Sequence, residues 1–379
     1  MLLNRGQNSS HSHTHTGSCR AASMLFIPFD THKSIGGPTT FMTNLKGYMD
    51  GNGRRYRAHY EPGDSIFFAA SYDLRELKRA KKNGGLVIQR LDGVYYAPHH
   101  AKKYLKANRL IQTIYRDYAD LVVFQSDCCK LQCEKILGRR NSAADRVIHN
   151  GVDPGVFFPR EQPLTISEPI AFVVTGNFRR PETLKPILDA LDSLRGNFSF
   201  RLHICGPVKD ELTGLYAGKP WVIAHGAQNL RYVAELLRNS HIYLFSNINP
   251  PCPNSVLEAA ACGLPVVSFD SGSLSELLPF SRNLLAHVGA QIIQDAKDFH
   301  FELLAEKITL AVENLAEFQI NFLNHANDFA FSKCGERYME VFSHVHDKRF
   351  LDARRRQVSP IGKCVERFKR FYANLKKSD

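Results

Sequence analysis

The chain has 379 residues, of which 44% are hydrophobic and 23% charged, and its formal net charge is +12 at pH 7. This length favours two domains, and the composition excludes a disordered or fibrous protein. No segment approaches the roughly 18–20 consecutive apolar residues of a membrane-spanning helix, which excludes an integral membrane protein. The nine cysteines are scattered and odd in number. Because this usage is typical of a reducing compartment, we predict a cytoplasmic location.

The first 150 residues divide into a polar leader and an alternating region. Residues 1–23 have almost no apolar content and are predicted to be a disordered leader; its histidines favour a solvated tail over a weak metal site. From residue 24 to 150, short apolar segments alternate with helical periodicity, which predicts an N-terminal domain with a parallel sheet. The predicted strands are 24–29, 65–70, 86–91, 121–126 and 146–151, and the predicted helices are Thr39–Met49, Leu74–Lys82, Ala101–Tyr118 and Asp127–Leu137.

A second alternating region follows a break. Residues 151–168 are rich in proline and glycine without a clear period, and are predicted to link two domains. Residues 169–345 are predicted to form a C-terminal domain of the same kind, which gives two doubly wound α/β domains that face each other across a cleft. The predicted strands are 171–176, 200–206, 221–226, 241–246 and 265–270, and the predicted helices are Pro181–Leu194, Asn229–Arg238 and Asn254–Cys262, with mostly helix beyond about residue 295.

The strongest local signal is HIYLFSNINPPCPNSVLEAAACGLPVVSFDSGSLSELL at residues 241–278. It predicts a strand, a proline-rich loop, a helix that begins near Asn254, a second strand and a second helix start. The free N–H groups at the two helix starts would form one pocket for a phosphate or pyrophosphate. Glu258 has two interpretations of equal weight: it accepts hydrogen bonds from ribose hydroxyls, or it completes a capping box with Ser255.

This segment resembles the donor-binding signature of GT-B glycosyltransferases of the GT4 type, the glycosyl transferases of group 1. That signature has an acidic residue, seven further positions, a Glu, then A-x-A-C-G-x-P-V-V and G-x-x-E-L, and PNSVLEAAACGLPVVSFDSGSLSEL matches it closely. Further resemblances occur in the right order, so that the similarity spans about residues 24–345. They are SIGGPTTFMTNL (34–45) to the N-terminal glycine loop, VIHNGVDPGVF (147–157) to the interdomain segment, GNFRRPETLKPILDAL (176–191) to the phosphate-contact loop, and LHICGP (202–207) to the next strand.

The resemblance implies a GT-B fold, two Rossmann-like domains with the acceptor held by the first and the donor by the second. It implies transfer of a sugar from a nucleotide-diphosphate donor to a saccharide or lipid-linked acceptor, with retention of anomeric configuration. It also implies no metal and no cofactor, with the nucleotide sugar as co-substrate; the absence of an Asp-x-Asp motif agrees with this. The implied donor-binding residues are Gly36, Gly37, Asn254, Ser255, Val256 and Glu258.

Charged residues on both sides of the predicted cleft are candidates for catalysis. Without a metal, basic side chains must neutralise the departing diphosphate, and the candidates are Arg179, Arg180 and Lys185. Their alternative is a solvated basic loop. In the N-terminal domain, Asp92 could orient an acceptor hydroxyl or act as a base, with Arg90 as its partner or as a ligand for an anionic acceptor. The alternative is an Arg–Asp pair that only fixes the loop.

Two positions depart from the family pattern. Pro250 stands where many members have the first carboxylate, eight residues before Glu258. Glu182 stands where a lysine could follow Arg179, although Arg180 and Lys185 could form the phosphate pair instead. A second function therefore stays open: a catalytically weakened GT-B protein that binds a nucleotide sugar or a partner enzyme.

The remaining motifs indicate no other chemistry. There is no G-x-G-x-x-G for a dehydrogenase, and Cys128, Cys129 and Cys133 lack partners for a zinc site. Residues 346–379 are predicted to form a basic helix, because eleven Lys and Arg against four Asp and Glu give a net charge of +7 from Asp347 onward. This helix either packs back on the N-terminal domain, which we favour slightly, or contacts an anionic membrane at its inner face. Nucleic acid is not expected as a partner.

Overall fold

The computed structural model of this chain describes residues 24–28, 37–97 and 103–343. The predicted leader, Gly36 and the predicted basic helix at 346–379 lie outside these residues. The described part contains two six-stranded sheets in which every pairing is parallel. Within it, no helix is long and apolar enough to cross a lipid bilayer.

The N-terminal sheet has the order β2-β1-β3-β4-β5-β6. A strand lies within each predicted range, although β1 and β6 are only two residues long where six were predicted. The two-residue β2 was not predicted because so short a segment carries no readable pattern. The predicted helix at residues 101–118 is α-helical only as far as Thr113 and ends in a π-helical turn, Ile114–Tyr118. The strands are β1 Leu25–Phe26, β2 Tyr56–Arg57, β3 Ser65–Ala69, β4 Val87–Leu91, β5 Leu121–Phe124 and β6 Arg146–Val147, and the helices are α1 Gly37–Gly51, α2 Leu74–Lys82, α3 Tyr104–Thr113 and α4 Asp127–Leu137.

The C-terminal sheet has the order β12-β11-β10-β7-β8-β9. Its predicted strands are also confirmed, and only the short β12 was not predicted. The strands are β7 Ile170–Thr175, β8 Phe200–Cys205, β9 Val222–Gly226, β10 Ile242–Phe245, β11 Val266–Asp270 and β12 Leu285–His287. The α-helices are α5 Lys185–Ser193, α6 Asp210–Thr213, α7 Leu230–Arg238, α8 Asn254–Ala261, α9 Leu274–Leu277, α10 Phe301–Glu313, α11 Leu315–His325 and α12 Phe331–Ser343, and short 3₁₀ turns are Pro181–Thr183, Pro279–Leu284, Ala296–Asp298 and Ala326–Phe329.

Burial explains why these segments form parallel strands. β5 (LVVF) and β10 (IYLF) are buried along their whole length, as expected of strands that are covered by helices on both faces. Each sheet has its own core, and Phe172 and Val267 are fully buried in the C-terminal one. In the N-terminal domain, the equivalent core lies around Phe67 and Leu45.

The last described helix returns to the N-terminal domain. The ring centroids of Tyr338 and Phe41 are 5.1 Å apart, and those of Phe342 and Phe67 are also 5.1 Å apart. The sequence placed residues 169–345 in the C-terminal domain, but packing assigns α12 to the N-terminal core. The physical reason is that the apolar face of α12 is buried against α1 and β3, contacts that its own periodicity cannot reveal.

Candidate active site

A cavity of about 610 Å³ lies between the two domains. The N-terminal domain lines it with the loops that follow β3 and β4, and the C-terminal domain with the loops that follow β7 and β10. All four loops leave the carboxyl ends of parallel strands, which is the usual position of ligand sites in such sheets. The cavity is therefore the candidate active site of this protein.

The loop after β7 contributes the positive charge. Arg179 and Arg180 both line the cavity. Nε of Arg179 donates to Oδ1 of Asn177 at 3.1 Å, and a guanidinium nitrogen of Arg180 lies 4.0 Å from a carboxylate oxygen of Glu182. The structure thus brings the two predicted arginines together at the site, and Glu182 lies beside them.

Lys185 does not join the two arginines. It is the first residue of α5 and its Nζ donates to Oδ2 of Asp189 at 2.5 Å. It faces a separate surface depression that is also lined by Phe299 and His300. Glu182 of the 3₁₀ turn Pro181–Thr183 lines both this depression and the main cavity. The pairing of Arg180 with Lys185 at one phosphate therefore stays a prediction.

Asp92 lines the cavity from the N-terminal side, after β4. Its Oδ1 accepts hydrogen bonds from Nη1 of Arg90 and from Nε2 of Gln125, the latter at 2.6 Å. Its Oδ2 accepts no hydrogen bond from a described residue. The Asp92 side chain is 19% exposed, so this carboxylate is fixed by one oxygen and accessible to the cavity.

Arg90 has a structural role, because its side chain is buried and hydrogen-bonds three other side chains. Its side chain is 1% exposed, and its guanidinium carbon lies 3.6 Å from the centroid of the Phe41 ring. Nη2 donates to Oδ1 of Asn150 at 2.9 Å and Nε donates to the hydroxyl of Tyr338 at 3.2 Å. The alternative in which Arg90 binds an anionic acceptor is therefore wrong, because the side chain is buried and fully engaged.

The start of α8 is free of side-chain caps. Pro253 is the N-cap residue and makes no side-chain cap bond, so the first turn, which begins at Asn254, keeps N–H groups for an anion. Because Pro253 and not Ser255 is the N-cap residue, Ser255 and Glu258 do not form the predicted capping box. Val256 is fully buried, and its backbone N–H donates to the carbonyl of Pro253 at 3.1 Å.

Glu258 lines a small cavity next to the main one, with Thr40 and Asn44 of α1. Burial raises the pKa of this carboxyl from 4.5 to about 7. Gly37, the first residue of α1, faces the start of α8, since a Cβ atom added to it would lie 3.7 Å from Nδ2 of Asn254. The glycine turn of the first domain and the donor-signature helix of the second thus meet across the cleft.

The loop around Pro250 is rigid and closes one side of the cavity. Asn249 has φ = +54° and exchanges two hydrogen bonds of 2.9 Å with the backbone of Gln294. The carbonyl of Pro250 accepts from N and Oγ of Ser273. A Cβ atom at Gly272 would lie 2.3 Å from that carbonyl oxygen. The second helix start, at Ser273, is therefore buried against this loop and does not face the cavity as the sequence predicted.

Sequence analysis missed a residue that joins the two domains, Glu276 of α9. Its carboxylate oxygens accept from the backbone N–H of Asp127 at 2.8 Å and of Cys128 at 3.2 Å, and His149 Nε2 lies 2.6 Å away. Burial alone would raise the pKa of Glu276, but the hydrogen bonds from His149 and from the two N–H groups lower it overall. The available signals were Glu276 in the segment Gly272–Leu277, which resembles the end of the family signature, and the start of α4, 149 residues away.

The cysteines of α4 and the potential metal ligands of the described residues do not form a metal site. Cys129 and Cys133 are buried in α4, and Cys128 beside them is partly buried; all three are free. Within the described ranges, no group of three or more His, Cys, Asp and Glu side chains is placed to hold a metal ion.

Comparison with known proteins agrees with this geometry. Residues 169–309 match the family model described as Glycosyl transferases group 1. Over 224 residues the chain is 25% identical to one of the subunits of human phosphatidylinositol N-acetylglucosaminyltransferase, a match that covers 58% of this chain and 45% of that protein. The chain thus aligns with less than half the length of this curated relative.

Solved structures show the same arrangement of two domains. Anabaena HepE in complex with UDP superimposes with a TM-score of 0.62 at 14% identity, covering 85% of this chain and 99% of that one. Sucrose-phosphate synthase from Thermosynechococcus elongatus gives a TM-score of 0.60 at 14% identity, covering 86% and 99%. The fold is that of GT-B glycosyltransferases, with two Rossmann-like domains, as predicted.

Proposed function

We propose that this protein is a glycosyltransferase that moves a sugar from a nucleotide-diphosphate donor to a saccharide or lipid-linked acceptor. One observation carries the proposal: Arg179 and Arg180 of the C-terminal domain and Asp92 of the N-terminal domain line one interdomain cavity. Nucleotide-sugar transfer also fits the matched family model over residues 169–309.

The charges at the cavity suggest how the reaction proceeds. As the bond between sugar and diphosphate breaks, negative charge builds on the leaving phosphates, and the guanidinium groups of Arg179 and Arg180 stabilise it. The uncapped N–H groups at the start of α8 add positive potential on the same side. Across the cavity, the accessible oxygen of Asp92 orients the acceptor hydroxyl or accepts its proton. We propose retention of configuration, with no metal and no cofactor.

The donor is best sought first among UDP-sugars. HepE was solved with UDP and with UDP-glucose, and the human relative is named as part of an N-acetylglucosaminyltransferase. Glu258, with Asn254 in the smaller cavity, is the proposed ribose contact, and Gly37 allows the backbone of the first domain to approach the donor closely. We propose UDP-glucose and UDP-N-acetylglucosamine as the first donors to test.

One observation favours the alternative of a weakened, binding-only protein. Pro250 borders the cavity at the position where many relatives have a carboxylate, and its carbonyl is already engaged by Ser273. A proline side chain can neither accept a hydrogen bond from the donor sugar nor transfer a proton. This alternative predicts binding of the nucleotide sugar without turnover.

The test compares two pairs of basic residues. We expect R179A/R180A to weaken binding of UDP by about 10- to 100-fold in titration calorimetry, because two charge-assisted contacts to phosphate are removed. The matched control is K209A/K297A, which removes the same charge from exposed positions that do not line the cavity. Equal losses in both pairs would contradict the site. Release of UDP from a UDP-sugar, followed in the same samples, distinguishes the enzyme from the binding-only alternative.

A further inference from the structure

Helix α3 has one buried and one exposed face, and the exposed face is unusually apolar. Asn108 and Ile111 are buried. In contrast, the side chain of Leu105 is 65% exposed and that of Leu110 is 40% exposed. Leu105 and Arg109 are four residues apart on the helix, and so are Lys106 and Leu110, so these four side chains form one exposed band. The band combines large apolar and basic side chains.

All charged residues on the exposed face of α3 are basic. Lys103, Lys106, Arg109 and Arg116 are all exposed, and no acidic residue occurs between positions 103 and 116. None of the four makes an ion pair with a carboxylate of the described residues. Helix α2 carries basic residues as well, but its Leu77 is buried and its exposed face is polar. Helix α4 also has an exposed leucine, Leu131, but it carries Asp127 and Glu134 as well, whereas α3 has two exposed leucines and no acidic residue.

This face is continuous with the mouth of the candidate active site. The side-chain amide of Asn108 accepts from the backbone N–H of Tyr95 at 3.1 Å and donates to its carbonyl at 2.6 Å. Tyr95 is 42% exposed and lines the cavity, and so does Ile111 of α3. A flat surface that contacts Leu105 and Leu110 would thus lie next to the cavity opening.

We propose that these side chains, which we call the α3 patch (Tyr95, Leu105, Lys106, Arg109 and Leu110), dock the protein on an anionic lipid bilayer. Exposed leucines enter the boundary between headgroups and acyl chains, while the flanking basic groups pair with lipid phosphates. Tyrosine is suited to the same interface because its ring is apolar and its hydroxyl polar. This inference rests on the proposed function in one respect: it makes the acceptor a lipid-linked molecule that enters the cavity from the bilayer surface.

The experiment measures sedimentation of the full chain with phosphatidylcholine vesicles that contain or lack phosphatidylglycerol. We expect binding only to the anionic vesicles, and a fall of about tenfold or more in the partition coefficient for L105Q/L110Q. K106Q/R109Q should bind more weakly and lose much of its dependence on salt. The matched controls are I320Q, a comparably exposed apolar position on α11, and K78Q/K82Q on α2, and both should bind as the unchanged protein does.

Two results would contradict the proposal that the α3 patch binds an anionic bilayer. One is anionic-vesicle binding of L105Q/L110Q that equals that of the unchanged protein, which would assign any membrane contact to another part of the chain. The other is self-association of the unchanged protein that L105Q/L110Q abolishes, since the patch would then be an interface between copies. Titration with UDP keeps the two proposals apart, because patch variants should bind UDP normally whether or not they bind vesicles.

Discussion

The surroundings of Glu258 change the pKa of its carboxyl group. It belongs to α8, whose other residues are mostly buried, and it lines the small cavity together with Asn254. Removal of water from the carboxylate disfavours its charged form, which is why its pKa rises to about 7. A carboxyl in this state can both donate to and accept from ribose hydroxyls near neutral pH.

This pKa predicts a defined dependence of stability on pH. In the unfolded chain the group titrates near 4.5, so the folded protein binds the proton more tightly. Its contribution to stability is complete below pH 4.5 and is lost as the pH rises through about 7, a total of about 3 kcal/mol. We expect E258Q to remove this loss, measured as the free energy of unfolding in urea between about pH 5 and pH 8. The control E317Q, at an exposed position on α11, should keep the pH dependence of the unchanged protein.

At the scale of elements, the contact between α1 and α12 determines how the chain returns to its first domain. Gly335 of α12 lies directly on the ring of Tyr48 of α1, because a Cβ atom there would be only 2.5 Å from ring carbon Cδ1. Gly47 lies in the neighbouring position of α1, but nothing is within 4 Å of its Cβ site. The two helices approach closely only because one side of the contact has no side chain.

These two glycines form a matched pair for mutagenesis. Alanine favours a helix interior over glycine, so G47A should raise the free energy of unfolding by about 0.5–1 kcal/mol. G335A gains the same helix propensity, but its added methyl group forces α12 away from Tyr48. We therefore expect the free energy of unfolding to fall by about 1–3 kcal/mol. Denaturant unfolding of both variants measures the difference. Similar stabilisation by both substitutions would show that α12 does not pack as closely on α1 as the structure indicates.

At the scale of the whole molecule, the relation between the domains depends on a few polar contacts. Glu276 of the C-terminal domain accepts hydrogen bonds from the first N–H groups of α4 in the N-terminal domain. A carboxylate at a helix N-terminus is favoured by the partial positive charge there. On the other side of the cleft, the hydroxyl of Tyr96 donates to the carbonyl of Ile248. These contacts hold Asp92 and the arginine pair on opposite walls of one cavity.

Loss of the Glu276 contact should therefore loosen the domains. We expect E276A to speed hydrogen exchange of the Asp127 and Cys128 amides and to increase the radius of gyration in small-angle X-ray scattering. Because the pKa of Glu276 is lowered below its usual 4.5, its contribution to stability is present above that pH and is lost as the pH falls through the lowered value. E211A, which removes an exposed carboxylate on α6, is the control. Unchanged exchange at the α4 start in E276A would contradict this role.

Sequence patterns by themselves predicted most of the strands and helices and the positions of Arg179, Arg180 and Asp92 after β-strands. They could do so because apolar periodicity, helix starts and strand ends depend on neighbouring residues. The same patterns could not show that Lys185 donates to Asp189 and does not line the cavity.

Only the tertiary structure decided which distant groups meet. The bond from Arg90 to Tyr338 joins residues 248 positions apart, and that from Asp127 to Glu276 joins residues 149 apart. No local pattern encodes such pairs, because they form only when α12 and the second sheet pack against the first domain. For that physical reason, the burial of Arg90, the role of Glu276 and the return of α12 followed from packing alone.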